Sequence, residues 1–119
     1  TMNHTAQFIE ARTPPGEMVL SANPLPVMLA DRRVFADISS FAVIHARSAD
    51  DHWSSYPSPN ELLQMMRQDP PRYAIVDGRM KLHFFGPYPM FQHFIAETYV
   101  PVATFGSGKD ETQIWQRVF

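Results

Sequence analysis

At 119 residues the chain has the length of one domain, residues 1–119, with no room for two separate cores. A hydrophobic share of 45% against 18% charged residues is the reverse of a disordered composition, and the absence of cysteine excludes disulfides, thiolate metal sites and a cysteine nucleophile. The net charge is -2 with no polybasic block, which argues against a nucleic-acid partner, and no apolar run approaches the roughly 18–20 residues of a membrane span. No signal-peptide pattern opens the segment, which reads as a soluble domain.

Eleven prolines against five glycines punctuate the chain, mostly in pairs, and divide it into short elements. Residues 3–12 read as a helix with Phe8 and Ile9 as its apolar contact, stopped by Thr13-Pro14-Pro15-Gly16. Residues 17–21 are a short apolar run between turn signals, which suits a buried strand. Asn23 and Pro24 open a helix that runs through Val27, Met28, Leu29 and Ala30 to Asp31. Residues 33–38 read as a second strand, and residues 41–47 fit a strand or a helical turn equally. Residues 48–57 are polar and aromatic, a loop.

The clearest local signal is Ser58-Pro59-Asn60-Glu61, a capped start for a helix with Leu62, Leu63, Met65 and Met66 on its apolar side and Asp69-Pro70-Pro71 as its end. Residues 73–77 are a second buried strand closed by Gly78, followed by a loop over 79–86 with an apolar centre at Leu82, Phe84 and Phe85. Residues 87–98 should be helical. Residues 99–105 and 113–118 alternate as strands do, so the polar segment 106–111 should join them as an antiparallel hairpin. The expected fold is α/β: a small mixed, partly parallel sheet with helices packed on it and a C-terminal antiparallel hairpin. Val19, Leu20, Ile75 and Val76 should form its centre, with Leu62, Met66, Phe91 and Phe94 packed on them.

In such a sheet the loops at the carboxyl ends of the strands form the natural crevice, which singles out Asn23 and Asp77. Asp77 is equally suited to bonding the amides of its own turn. Two aromatic, proline-rich segments, 51–57 around Trp53 and 83–89 around Tyr88, either close the core or present an amphipathic surface for a sugar, a lipid headgroup or a protein. The candidate ligand-binding residues are therefore Asn23, Asp77, Trp53 and Tyr88. The five histidines form no metal signature, and Asp50-Asp51-His52 reads as a solvated loop sooner than a ligand set, so no metal and no cofactor is expected. There is no Gly-x-Ser-x-Gly elbow, and Gly106-Ser107-Gly108-Lys109 lacks the spacing of a phosphate loop. No nucleophile–base pair has a recognisable spacing, which weighs against a small enzyme using Asp77 and a histidine.

Several segments in order resemble a known family: Phe8-Ile9, residues 13–20 from Thr13-Pro14-Pro15-Gly16 to Leu20, residues 29–33, residues 57–63, residues 69–77 from Asp69-Pro70-Pro71 to Asp77, residues 94–99 and Ile114-Trp115-Gln116-Arg117. Their order and spacing, over nearly the whole chain, resemble the C-terminal extracytoplasmic domain of membrane glycosyltransferases of the dolichyl-phosphate-mannose-protein mannosyltransferase type. The resemblance implies a domain excised from a larger membrane protein, placed on the periplasmic or outer face of the cell membrane. It implies a parent enzyme that moves a sugar from a polyprenyl-phosphate donor to an acceptor, with its catalytic acidic residue in the membrane part, so no catalytic residue is expected here. The domain's partners would be the lipid-linked sugar or the acceptor, met through the parent enzyme. The alternative is a free-standing α/β module that binds a small ligand or a protein.

Overall fold

The structure is a computed structural model that describes residues 2–35 and 59–118. The distal part of the expected second strand, the ambiguous segment 41–47, the loop carrying Asp50-Asp51-His52 and Trp53, and the Ser58 cap lie outside the described residues.

Helix α1 (Met2–Arg12) ends where Thr13 turns its hydroxyl back onto the Ile9 carbonyl at 2.7 Å. Pro14-Pro15-Gly16 then reverses the chain: the Glu17 amide donates to the Pro14 carbonyl, and Gly16 takes a φ of 82° that a side chain would resist. Strand β1 (Met18–Ser21) leads to a short α2 (Leu25–Leu29), shorter than the expected run to Asp31. It stops because Asp31 adopts a φ of 56°, and the amides of Asp31 and Arg32 bond back to Met28 and Val27, a left-handed helix end built on an aspartate instead of a glycine. Arg32 then ties the two helix ends together, donating to the Ala30 carbonyl and to both the hydroxyl and the carbonyl of Thr13.

Strand β2 (Arg33–Val34) is a two-residue parallel ladder on β1. Helix α3 (Pro59–Gln68) and strand β3 (Tyr73–Val76) follow as read from the sequence, except that Asp77 leaves the strand. The expected loop over 79–86 is helical instead. A turn of helix α4 (Gly78–Met80), capped by Asp77 Oδ1 on the Met80 amide at 3.0 Å, passes into a π turn over Lys81–Phe85 that is closed by the Gly86 amide on the Lys81 carbonyl. The reason is burial: Met80 and Phe84 lie four residues apart and both go into the core, while Leu82 faces outward at 69% exposure. Helix α5 (Pro89–Thr98), strand β4 (Tyr99–Phe105), a 3-10 turn (Gly108–Asp110) and strand β5 (Thr112–Arg117) complete the chain.

The fold is α/β: among the described residues it has a five-stranded mixed sheet in the order β2-β1-β3-β5-β4, parallel across β2-β1-β3 and antiparallel across β3-β5-β4. Alternating side chains of the strands feed two cores. Val19, Tyr73, Ile75 and Ile114 join Ala6 and Ile9 of α1 and Val27 of α2 on one face. Leu20, Ala74 and Val76 join Leu62 and Met66 of α3, Met80, Phe84, and Phe91, Phe94 and Ile95 of α5 on the other. The expected single packing of Val19, Leu20, Ile75 and Val76 under Leu62, Met66, Phe91 and Phe94 is thus divided: only Leu20 and Val76 meet those four, because neighbours along a strand point oppositely. Strand β4 serves both cores. A bulge between Pro101 and Ala103 shifts its register, so that Tyr99 packs edge-on to Phe94 on the second face while Ala103 and Phe105 pack on the first.

Candidate functional site

Because β1 and β3 are parallel neighbours, their carboxyl ends lie at one edge of the sheet. Asn23 and Asp77 follow those ends, and the antiparallel β5 brings the 3-10 turn before it to the same place. The result is an open groove of about 380 Å³ lined by Asn23, Asp77, Gly78, Arg79, Lys109, Asp110, Glu111 and Thr112. The turn lies close over the strand end: a Cβ at Gly78 would sit 3.8 Å from the Lys109 carbonyl oxygen.

Both residues expected here are also structural. Asn23 Oδ1 accepts from the Leu25 amide at 3.2 Å, the Asn23 carbonyl accepts from the Ser21 hydroxyl at 2.6 Å, and Asp77 holds the start of α4. That fixes their backbones and leaves the groove rigid on the sheet side. Arg79 and Lys109 make no ion pair among the described residues, although three carboxylates share the lining. A pocket of interspersed donors and acceptors of both signs suits a polyhydroxyl ligand better than a bare anion.

The other expected residues separate. Tyr88 does not line this groove; it is half-buried ahead of α5, edge-on to Phe91 at 5.9 Å, and packs on the second core. Its neighbour Phe84 is buried and Phe85 half-buried, so the segment around Tyr88 closes the core. Trp53 lies outside the described residues. Arg79, Lys109 and Glu111 were not singled out by sequence, since segment 106–111 read as a plain hairpin connection. The signal was the hairpin itself, which returns that connection to the end of β3.

Among the described residues no histidine lines this groove; its titratable groups are Asp77, Arg79, Lys109, Asp110 and Glu111. His4 stacks on Phe105 at the first face, and His93 pairs with Glu97 along α5. Among the described residues no three His, Asp or Glu side chains converge on a metal position, and no helix is long and apolar enough to cross a membrane.

At the opposite edge of the sheet a hollow of about 500 Å³ is lined by Glu17, Phe35, Asp69, Arg72 and Arg117, among others. Arg72 binds Glu17 Oε1 at 3.0 Å, while Glu17 Oε2 is buried without a hydrogen-bond partner among the described residues. The Pro70 carbonyl accepts from Arg117 and the Pro71 carbonyl from the Tyr99 hydroxyl. Burial pushes the Tyr99 hydroxyl well above its ordinary pKa; the nearby Arg117 pulls the other way and Asp69 adds a smaller upward push. These bonds clamp β4 and β5 to the turn between α3 and β3, which makes this edge structural in character.

Comparison of the chain with protein-family models, curated proteins and solved structures gives no match.

Proposed function

We propose that the chain is a non-catalytic, extracytoplasmic accessory domain of a membrane glycosyltransferase that uses a polyprenyl-phosphate sugar, and that it contributes recognition of sugar hydroxyls on the acceptor or the donor. The order and spacing of the segments from Phe8 to Arg117 motivate the family. The observation that supports recognition is the strand-end groove, which gathers the donors and acceptors Asn23, Asp77, Arg79 and Lys109, with no histidine among the described residues of its lining. Asparagine and aspartate bond sugar hydroxyls, and the two basic side chains add donors at the rim. Few groups converge, so binding by the isolated domain should be weak, about millimolar.

The test is an NMR titration with a short-chain polyprenyl-phosphate sugar and with candidate acceptors, beside an assay for sugar transfer. Shifts at Asn23, Asp77, Arg79 and Lys109 without turnover are expected. Turnover by this chain alone would overturn the non-catalytic reading, and shifts confined to other surfaces would overturn the assignment of the groove. A multi-spanning segment encoded ahead of Asn3 in the native gene separates the accessory domain from a free-standing binding module.

A further inference from the structure

The last residue of β3, Val76, pairs with Gln113 of β5. On the second face of the sheet that pair borders a groove of about 530 Å³ between the sheet, the π turn and α5. Its apolar surface comes from Trp115, Phe85 and Ile95, of which Ile95 is buried and the two aromatic rings half-buried. Its polar groups are Lys81, Gln92 and Gln113. Trp115 donates its Nε1–H to Gln113 Oε1 at 3.0 Å, which orients the glutamine and leaves its amide nitrogen without a partner among the described residues. Lys81 and Gln92 are exposed and likewise make no side-chain hydrogen bond or ion pair among the described residues.

From this arrangement we infer that the groove binds the ring of a neutral hexopyranose, with Trp115 as its apolar platform and Gln92, Gln113 and Lys81 as donors to its hydroxyls. A pyranose has a C–H face that covers an indole and a rim of hydroxyls that calls for amides and ammonium groups. A purely apolar ligand would leave the half-buried Gln113 amide nitrogen unused, and a cationic one would find no carboxylate in the lining. The π turn gives the groove its width: it supplies Lys81 and Phe85 and places Gly86 beside them, and π turns of this kind recur at functional sites. The inference stands on a different set of side chains from the strand-end groove and holds whether or not that groove binds a sugar.

The experiment is a titration of the chain with methyl glycosides of mannose, glucose and galactose, read at the Trp115 indole N–H resonance, which is assigned by its loss in Trp115→Phe. At least one glycoside should move that resonance and the Gln92 and Gln113 side-chain amides saturably, with a Kd of about 1–50 mM. Gln92→Ala and Lys81→Ala alter exposed side chains and should leave the spectrum of the free chain folded. Each should weaken binding about 2- to 10-fold, the worth of one hydrogen bond to a neutral or charged donor. Asp77→Asn should leave binding at Trp115 unchanged. The inference is overturned if no glycoside gives a saturable shift at Trp115, or if both alanine variants bind as the parent chain does. Shifts at Asn23 and Arg79 with none at Trp115 would reject this site and leave the strand-end reading standing.

Discussion

The two faces of the sheet are built from different materials. Among the described residues the first core is mainly aliphatic and small: Ala6, Ile9, Val19, Val27, Ala30, Ile75 and Ile114, with Tyr73 as its buried ring and Phe8 and Phe105 half-buried at its border. The second is aromatic and sulfur-rich: Phe35, Phe84, Phe91, Phe94 and Tyr99 with Met66 and Met80. On the first face the ends of α1 and α2 are stitched together by Arg32. Through the rings of the second core α3, the π turn and α5 pack on the second face, and the Trp115 groove lies beside them. Both proposed ligand grooves lie on the aromatic face or at the strand ends beside it.

The contrast can be broken most directly by truncating one buried side chain on each face. Phe84→Ala should cost about 3–5 kcal/mol and Ile75→Ala about 2–5 kcal/mol in chemical denaturation, each a large part of a small domain's stability. Both faces share the strands, so both variants should unfold in one transition with the parent slope. A biphasic transition in either would show that the faces are separate folding units.

A sharper and smaller test sits where the second face meets the edge. Tyr99→Phe leaves the Pro71 carbonyl without its hydroxyl partner and should cost about 1–3 kcal/mol. The pH dependence follows from the raised pKa. The folded state holds the Tyr99 proton above the ordinary value of 10.0, so this contribution to stability is fully present below pH 10 and falls as pH rises beyond it. Stability measured from pH 9 upward should therefore decline less steeply in Tyr99→Phe than in the parent. Equal slopes would mean that the hydroxyl is no better shielded than in the unfolded chain.

The smallest expected effect is at the strand ends. Asp77→Ala removes the cap on the Met80 amide and should cost about 1 kcal/mol, read as a lower denaturation midpoint with an unchanged slope. A change within error would mean that the π turn is held by Met80 and Phe84 alone.

What was legible in the sequence follows from how local its causes are. The proline pairs at 14–15 and 70–71 mark real ends, the runs at 18–21 and 73–76 are strands, and the even alternation of residues 99–105 announces a hairpin. The helical path from Gly78 to Phe85 was hidden because Gly78 and Gly86-Pro87 look like breakers, and only the burial of Met80 and Phe84 overrides them. The bulge in β4 was equally hidden: nothing in Val100-Pro101-Val102 shows that the strand must change faces to reach both Phe94 and Phe8. That Asn23 and Asp77 would lie together was legible because each follows the end of one of two neighbouring parallel strands. Arg79, Lys109 and Trp115 were not, since their meeting places depend on the register of β5.

That bulge has a bearing on how the chain behaves in company. Among the described residues strand β4 is the long outer strand of the sheet, with Val100 and Val102 partly bare, and such a border invites a second sheet to zip onto it. Pro101 withholds an amide in the middle of that border, and the irregular register beside it spoils a straight run of pairing groups. Copies crowded side by side therefore meet a border that is hard to extend as a regular ladder.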